Sequence, residues 1–287
     1  MTDTLPMPIS APLTPAQRSQ VLNLVRRAAR AEIMPRFRAL SADQIDQKSG
    51  PQDLVTEADR ASEAMIARGL VQMFPNAFIV GEEDAAKNPD IIAKIAEAEM
   101  AFTIDPVDGT WNYAHGLTQF GVILSVTRFG VPVFGLLYDP VMDDAIVADE
   151  VGPAQMLQPR RAPRTLNASV GGELTDLQGY ANLYMLPENK RAAMAASLPT
   201  FQRALSLRCA CHEFRMLAQG HVDFVLSAGL TPWDHAAGAL IAKRAGCHVA
   251  MTDGSDYRAD RRDGALLAAA NMATWNRLRD HWSFLND

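Results

Sequence analysis

Six residues, Asp105-Pro106-Val107-Asp108-Gly109-Thr110, limit what this chain can fold into more than any other feature. They directly follow an apolar run, Phe102-Thr103-Ile104, that reads as a buried strand, and strand ends are where open sheets present ligands. Pro106 and Gly109 impose a tight turn, which can bring two carboxylates three residues apart onto one side. Anions held that close repel unless a cation lies between them. Gly109 and Thr110 then offer backbone N–H groups, suited to a phosphate if a helix starts there. Taken alone, the segment reads equally as an Asx-turn closing a strand.

Two other acidic ends shift that balance. Gly81-Glu82-Glu83 follows the short apolar strand Phe78-Ile79-Val80, and Trp233-Asp234-His235-Ala236-Ala237-Gly238 opens a helix rich in small residues. In isolation the first is a solvated turn, and Asp234 is a first-turn acid favoured by the helix dipole. Three acidic ends in one chain, none with a basic neighbour in sequence, favour a shared cation site. No Cys or His lies within these motifs at zinc-like spacing, so the chemistry is hard oxygen ligation of Mg²⁺ or Mn²⁺. A fourth segment, Asp53-Leu54-Val55-Thr56-Glu57-Ala58-Asp59, reads as a helix start with Thr56 as N-cap and Asp59 three residues on.

The rest of the chain alternates helix and strand patterns. Residues 1–13, with Pro6, Pro8 and Pro12, read as a disordered N-terminus; Thr14-Pro15-Ala16-Gln17 starts a helix that Pro35 should kink or end. Residues 41–53 read as a mobile loop, 58–74 and 89–99 as helices, and 120–139 as two strands flanking Gly130. A further strand is expected at 145–148. The pattern dissolves at 152–163, which reads as a junction between two lobes, 14–152 and 153–287. Beyond it, helices at 211–219, 234–245 and 273–284 alternate with strands at 222–226, 247–251 and 265–269. The order implies layered helices and sheets.

Composition narrows the partners. The 33 acidic residues outnumber the 27 basic ones, where a nucleic-acid binder would normally show a basic surplus. No stretch approaches the roughly 18 apolar residues of a membrane-spanning helix, and no secretion signal is evident at the start. Three cysteines, Cys209, Cys211 and Cys247, suit a reducing compartment, so a cytoplasmic setting is expected.

The motifs Lys48-Ser49, Asp53-Leu54-Val55-Thr56 with Ala58-Asp59, Gly81-Glu82-Glu83, Asp105 to Thr110 with Asn112, and Trp233-Asp234 with Ala236-Ala237-Gly238 occur together and in this order. With them the chain resembles, from about Thr14 to near its end, the inositol monophosphatase family of lithium-sensitive, magnesium-dependent phosphatases. The resemblance implies a five-layered α-β-α-β-α sandwich of the inositol monophosphatase and fructose-1,6-bisphosphatase type, and a homodimer. It implies that Glu82, Asp105 and the carbonyl of Val107 hold a first metal and Asp105, Asp108 and Asp234 a second, with a weaker third ion near Glu82. A water oriented by Glu82 and Thr110, with Asp59 behind the threonine, would attack phosphorus in line, and amides of Gly109 and Thr110 would take the phosphate. Lys48 would lie in a mobile loop that excludes water, and Li⁺ would inhibit.

The substrate implied is a small-molecule phosphate monoester such as inositol 1-phosphate. Alternatives are histidinol phosphate, a nucleotide 3′,5′-bisphosphate, fructose 1,6-bisphosphate, or a silent relative that only binds. An aspartyl-phosphate phosphatase fits less well, because two residues rather than one separate Asp105 from Asp108. In inositol-specific members an acid stands seven residues before the last metal-binding Asp; here that position is Ser227, which should weaken selection for inositol phosphates. Arg208, His212 and Arg215 read first as surface helix charge, and one of them turned inward would open the site to more anionic substrates. Cys209 and Cys211, if on a strand, would share one face as small packing residues; Trp111 and Tyr113 read as packing, and His115 and His235 as support.

Overall fold

Thr14 starts the first helix as its sequence requires: in the computed structural model, which describes residues 13–286, its hydroxyl accepts from Gln17 N at 3.3 Å while Gln17 Oε1 accepts from Thr14 N at 2.8 Å. Residues 1–12, which hold most of the segment expected to be disordered, lie outside the described residues; Leu13, assigned to the same segment, is fully buried. α1 (Pro15–Ala28) passes into a wider turn over Ala29–Ile33, and the helical path ends in a turn holding Pro35.

The segment 41–53 is not a loop. After a turn at Ala42–Gln44, β1 (Ile45–Gly50) and β2 (Asp53–Thr56) form an antiparallel hairpin, with Ile45 opposite Thr56 and Gln47 opposite Leu54. Its polarity hid it: the ladder is satisfied by backbone hydrogen bonds, so little apolar alternation was needed to mark it. α2 (Glu57–Met73) follows at once.

A seven-stranded sheet then runs β3 (Phe78–Gly81), β4 (Ala101–Asp108), β5 (Gly121–Arg128), β6 (Val131–Asp139), β7 (Asp144–Asp149), β8 (Gln155–Leu157) and β9 (Arg164–Thr165), with strand order equal to sequence order. β3 pairs parallel to β4 and the others antiparallel. Its last two strands lie beyond residue 152. Between β3 and β4 the expected helix 89–99 is absent. α3 (Glu82–Lys87) takes the acidic stretch, whose charges suit a helix N-terminus, and Asn88-Pro89 ends it; two short turns, Pro89–Ile91 and Ala93–Ala96, fill the rest. α4 (Thr110–Ala114) follows β4 directly.

The second sheet holds β10 (Gln178–Ala181), β11 (Arg203–Leu205), β12 (Phe224–Ala228), β13 (His248–Met251) and β14 (Ala265–Ala269), ordered β11-β10-β12-β14-β13. β10, β11 and α5 (Glu188–Ser197) are elements that hydrophobic periodicity did not reveal. α6 (Ala210–Ala218) and α7 (Pro232–Arg244) lie between the sheets: Phe214, Ala236 and Ile241 share one core with Ile123 and Leu137 of the first sheet and Val225 and Leu266 of the second. α1 and α2 cover the outer face of the first sheet through Val25, Ile66, Phe102 and Leu124, and α5 and α8 (Met272–His281) the outer face of the second through Met194, Leu267 and Trp275. The result is an α+β sandwich of five layers, as the resemblance implied. No helix among the described residues is long and apolar enough to cross a membrane.

Candidate functional site

β4 is buried along its whole length, and its pairing with β5 becomes irregular between Asp105 and Asp108. That irregularity re-aims the strand end, as bulges do near functional sites. Asp105 Oδ1 accepts from Val107 N at 3.0 Å. Gly109 follows at φ +84°, where a Cβ would also meet Gln119 O at 2.8 Å, so only glycine fits the turn. Asp234 arrives from the first turn of α7, packed between the sheets.

This arrangement brings carboxylate oxygens of Asp105, Asp108 and Asp234 within 4.8 Å of one another. Burial and the charges of Glu82, Asp108 and Asp234 push Asp105 well above the usual carboxylate range. Burial and Asp234 push Asp108 up to about 7, against the pull of Cys211 N–H and Cys209 Sγ, which reach its Oδ2 at 2.5 and 3.1 Å. Buried like charges without a compensating cation are costly. The donor set is all oxygen, so it fits a hard divalent cation.

Glu82, at the start of α3, stands beside this cluster rather than within it. Its Oε1 pairs with Lys48 Nζ at 2.7 Å, and the same ammonium reaches Glu83 Oε1 at 2.5 Å. Burial raises the Glu82 pKa, Lys48 opposes this, and the Asp234 charge adds to it. α3 itself is anchored by Glu63 of α2, whose carboxylate accepts from Glu83 N at 2.9 Å and Asp84 N at 3.1 Å. A Cβ on Gly81 would fall 2.2 Å from that carboxylate carbon. Sequence reasoning missed Glu63; an acid spaced along α2 leaves no signal that it caps another helix. Lys48 lies on β1 of the hairpin, not in an irregular loop.

Asp59 is fully buried in the first turn of α2, where Oδ2 accepts from Thr56 N at 2.8 Å and the Thr56 hydroxyl at 2.5 Å. Burial pushes it up to about 6 against those hydrogen bonds. The Thr110 hydroxyl lies 3.0 Å from Asp59 Oδ1 and 2.9 Å from the Val107 carbonyl. One proton serves one acceptor at a time, so donating to Asp59 leaves an oxygen lone pair of Thr110 free to accept.

A cavity of about 230 Å³ adjoins these groups, lined by Glu82, Asp108, Gly109, Thr110 and Asp234 together with Gln52, Arg208, Glu213 and Ser227. It adjoins a wider cavity of about 970 Å³ that reaches Lys48, Pro89, Ile92 and Trp233. Ser227, near the end of β12, faces the first cavity, as its position before Asp234 implied. The reading of Arg208, His212 and Arg215 as surface charge is corrected. Arg215 is buried in an ion pair with Asp144 and donates to Leu137 O at 2.9 Å, His212 Nε2 meets Phe120 O at 3.0 Å, and Arg208 lines the cavity. Cys209 and Cys211 are not on a strand; they flank the start of α6, both buried. Trp111 also lines the cavity, with His115 stacked on it at 4.0 Å, while Tyr113 is buried and donates to Ile33 O at 2.7 Å. His235 holds the turn before α7 through Thr231.

Comparison with known proteins gives one answer. A sequence model described as "Inositol monophosphatase family" matches residues 16–282. A fructose-1,6-bisphosphatase/inositol-1-monophosphatase of Thermotoga maritima is 28% identical over 220 residues, covering 76% of this chain and 78% of the relative. A protein named Nus factor SuhB from Vibrio cholerae is 30% identical over 264 residues, covering 87% and 91%. Among solved structures, an inositol monophosphatase from Zymomonas mobilis aligns over 94% of this chain and 100% of its own, with a TM-score of 0.77 at 21% identity.

Proposed function

The chain belongs to the inositol monophosphatase family, whose chemistry is phosphoric monoester hydrolysis, and on that premise we propose that it hydrolyses small-molecule phosphate monoesters with divalent cations, Mg²⁺ first and Mn²⁺ as a substitute. The observation that carries this reading is the convergence of Asp105, Asp108 and Asp234 within 4.8 Å of one another, beside a cavity that Asp108 and Asp234 line.

Glu82, Asp105 and the Val107 carbonyl would hold one cation and Asp105, Asp108 and Asp234 a second, and a weaker third would sit near Glu82. Cations held there supply positive charge to the attacking and leaving oxygens and lower the pKa of water. The chain's own groups do the rest. Thr110, its proton committed to Asp59, accepts from the attacking water, and Glu82 orients that water from the opposite element. Amides of Gly109 and Thr110 receive phosphate oxygens at the start of α4. Lys48 balances the charge of Glu82 and Glu83, and the hairpin that bears it helps to exclude water from the site. Inhibition by Li⁺, homodimerisation and a cytoplasmic setting belong to the same reading.

Purified protein assayed with Mg²⁺ against a panel of phosphomonoesters, scored by kcat/KM, tests it; absence of phosphate release from every ester would overturn it. Inositol 1-phosphate should be hydrolysed without strong preference, because Ser227 offers neither charge nor reach to sugar-alcohol hydroxyls. A preference of a hundredfold, about 2.7 kcal/mol in transition-state binding, would show that another group supplies that recognition.

A further inference from the structure

Groups of opposite charge meet at the cavity. Carboxylates of Glu82, Asp108 and Asp234 line it, and Lys48, which borders the adjoining cavity, is the cation paired with Glu82. Arg208 lines the same cavity as a further cation, and its circumstances differ from those of Lys48.

Among the described residues Arg208 has no acidic partner. Its Nη1 donates to Gln52 Oε1 at 3.0 Å, and its guanidinium carbon lies 4.0 Å from the centre of the Trp111 ring. Burial alone lowers its pKa, with no nearby acid acting against it. Other arginines, such as Arg215, Arg26 and Arg30, find carboxylates. A half-buried guanidinium with donors to spare, held flat by an aromatic face, is pre-organised for a bidentate oxyanion. Trp111 directly follows Thr110, so this platform is tied to the floor through one peptide bond.

Its backbone is strained on purpose. Arg208 adopts φ +55°, a left-handed conformation that a bulky side chain rarely takes. The surroundings impose it. The Glu213 carboxylate accepts from Leu207 N at 2.7 Å and from the Ser206 hydroxyl at 3.1 Å, Ser206 Oγ accepts from Arg208 N at 3.1 Å, and Asn112 Nδ2 donates to Leu207 O at 2.8 Å. Strain that a network over-determines in this way collects at ligand clamps. Here it turns the side chain over the cavity.

We propose that Arg208 forms an anion subsite for the leaving group, so that the esters turned over here carry a second anionic group, a phosphate in first place, on the alcohol that is released. The inference rests on the phosphatase reading and deepens it. With the reacting phosphate on the floor, the alcohol portion extends toward Arg208, and the second anion pairs with the free edge of the guanidinium. The adjoining cavity also borders Arg208, which leaves room for the body of a sugar or a larger group.

Matched esters test this. Glucose 1,6-bisphosphate is compared with glucose 1-phosphate and glucose 6-phosphate, and 2-phosphoglycerate with glycerol 2-phosphate, in the wild type, Arg208→Gly and Arg208→Gln. Glycine relieves the left-handed backbone, so loss of fold does not confuse the result. The wild type should favour the doubly anionic partner by about 10- to 100-fold in kcat/KM, the size of a charge-assisted contact, and both variants should bring each ratio close to one. A preference confined to the bisphosphate identifies phosphate as the second anion; one shown also by 2-phosphoglycerate extends the subsite to carboxylates. Either result supports the subsite. Isothermal titration with the same pairs reads the Arg208 contribution even without turnover, so an inert wild type that still binds the dianions more tightly than its variants retains the subsite while removing the phosphatase reading. Equal affinity and rate for both members of each pair, or a preference that survives in both variants, overturns the proposal.

Discussion

The floor and the wall of the cavity are built on opposite terms. The floor stands on β4, a strand of the first sheet, and on the first turn of α7, which packs between the sheets; Asp105, Asp108 and, on α2, Asp59 are almost wholly shielded from solvent. The wall is made by Gln52 beside a two-stranded hairpin, by the 206–209 segment before α6 and by the end of β12, with Arg208 in a left-handed backbone. Groups that must be placed to a fraction of an ångström are set by two hydrophobic cores. The groups proposed to meet the alcohol, Gln52, Arg208 and Ser227, are exposed or half-buried side chains, which can change without disturbing the fold.

The comparison breaks most easily at the floor. Asp105→Asn should lower kcat/KM by about 10³-fold or more, since the charge it removes is worth several kcal/mol to the reaction. Circular dichroism should stay unchanged, and the metal-free protein should be no less stable, because one of several repelling carboxylates is gone. Near-wild-type turnover at saturating Mg²⁺ would end the assignment. Thr110→Val keeps the shape but loses the hydroxyl between Asp59 and Val107, and kcat should drop by about 10²-fold with KM little changed. A KM effect alone would make Thr110 a binding group instead.

Stability sharpens the same contrast. In Gly81→Ala the new methyl meets the Glu63 carboxylate, so the anchor of α3 must move; the expected cost is about 1–3 kcal/mol by urea denaturation. An unchanged midpoint would show that Glu63 can leave at no cost. The acidic floor also predicts an unusual pH response. Asp108 is raised from 3.8 to about 7 in the fold and Asp105 is also held well above the usual carboxylate range, so the metal-free fold binds more protons than the unfolded chain across that window. Its stability should therefore fall as pH rises from about 4 through 7, and saturating Mg²⁺ should abolish the loss. Stability in EDTA that rises over the same range would contradict the buried-charge account. At the wall, Ser227→Ala should change kcat/KM for any ester by less than about threefold, the size of a peripheral polar contact; a larger loss would move Ser227 from the wall to the machinery.

Much of this was legible in the residues. The strand before Asp105, the N-cap at Thr56 with Asp59, the helix opened by Asp234 and the hairpin about Gly130 all carry local signals, because periodicity and capping act over a few residues. What misled was equally local. The hairpin 45–56 is too polar to show alternation, the helix at 89–99 dissolved into turns once α3 claimed the acids before it, and Arg208, His212 and Arg215 looked alike along the chain although one is ion-paired, one faces a carbonyl and one lines the cavity.

The sequence by itself determined that acids would stand at three element ends and that the chain would build layered helices and sheets, since those follow from short-range backbone preference and burial. Only the tertiary structure decided that the three ends meet within 4.8 Å, that Glu63 reaches from α2 to hold α3, and that Arg208 turns inward under the grip of Glu213. Those contacts join residues far apart in the chain, and their cost in strain and buried charge is borne by cores that no local pattern describes.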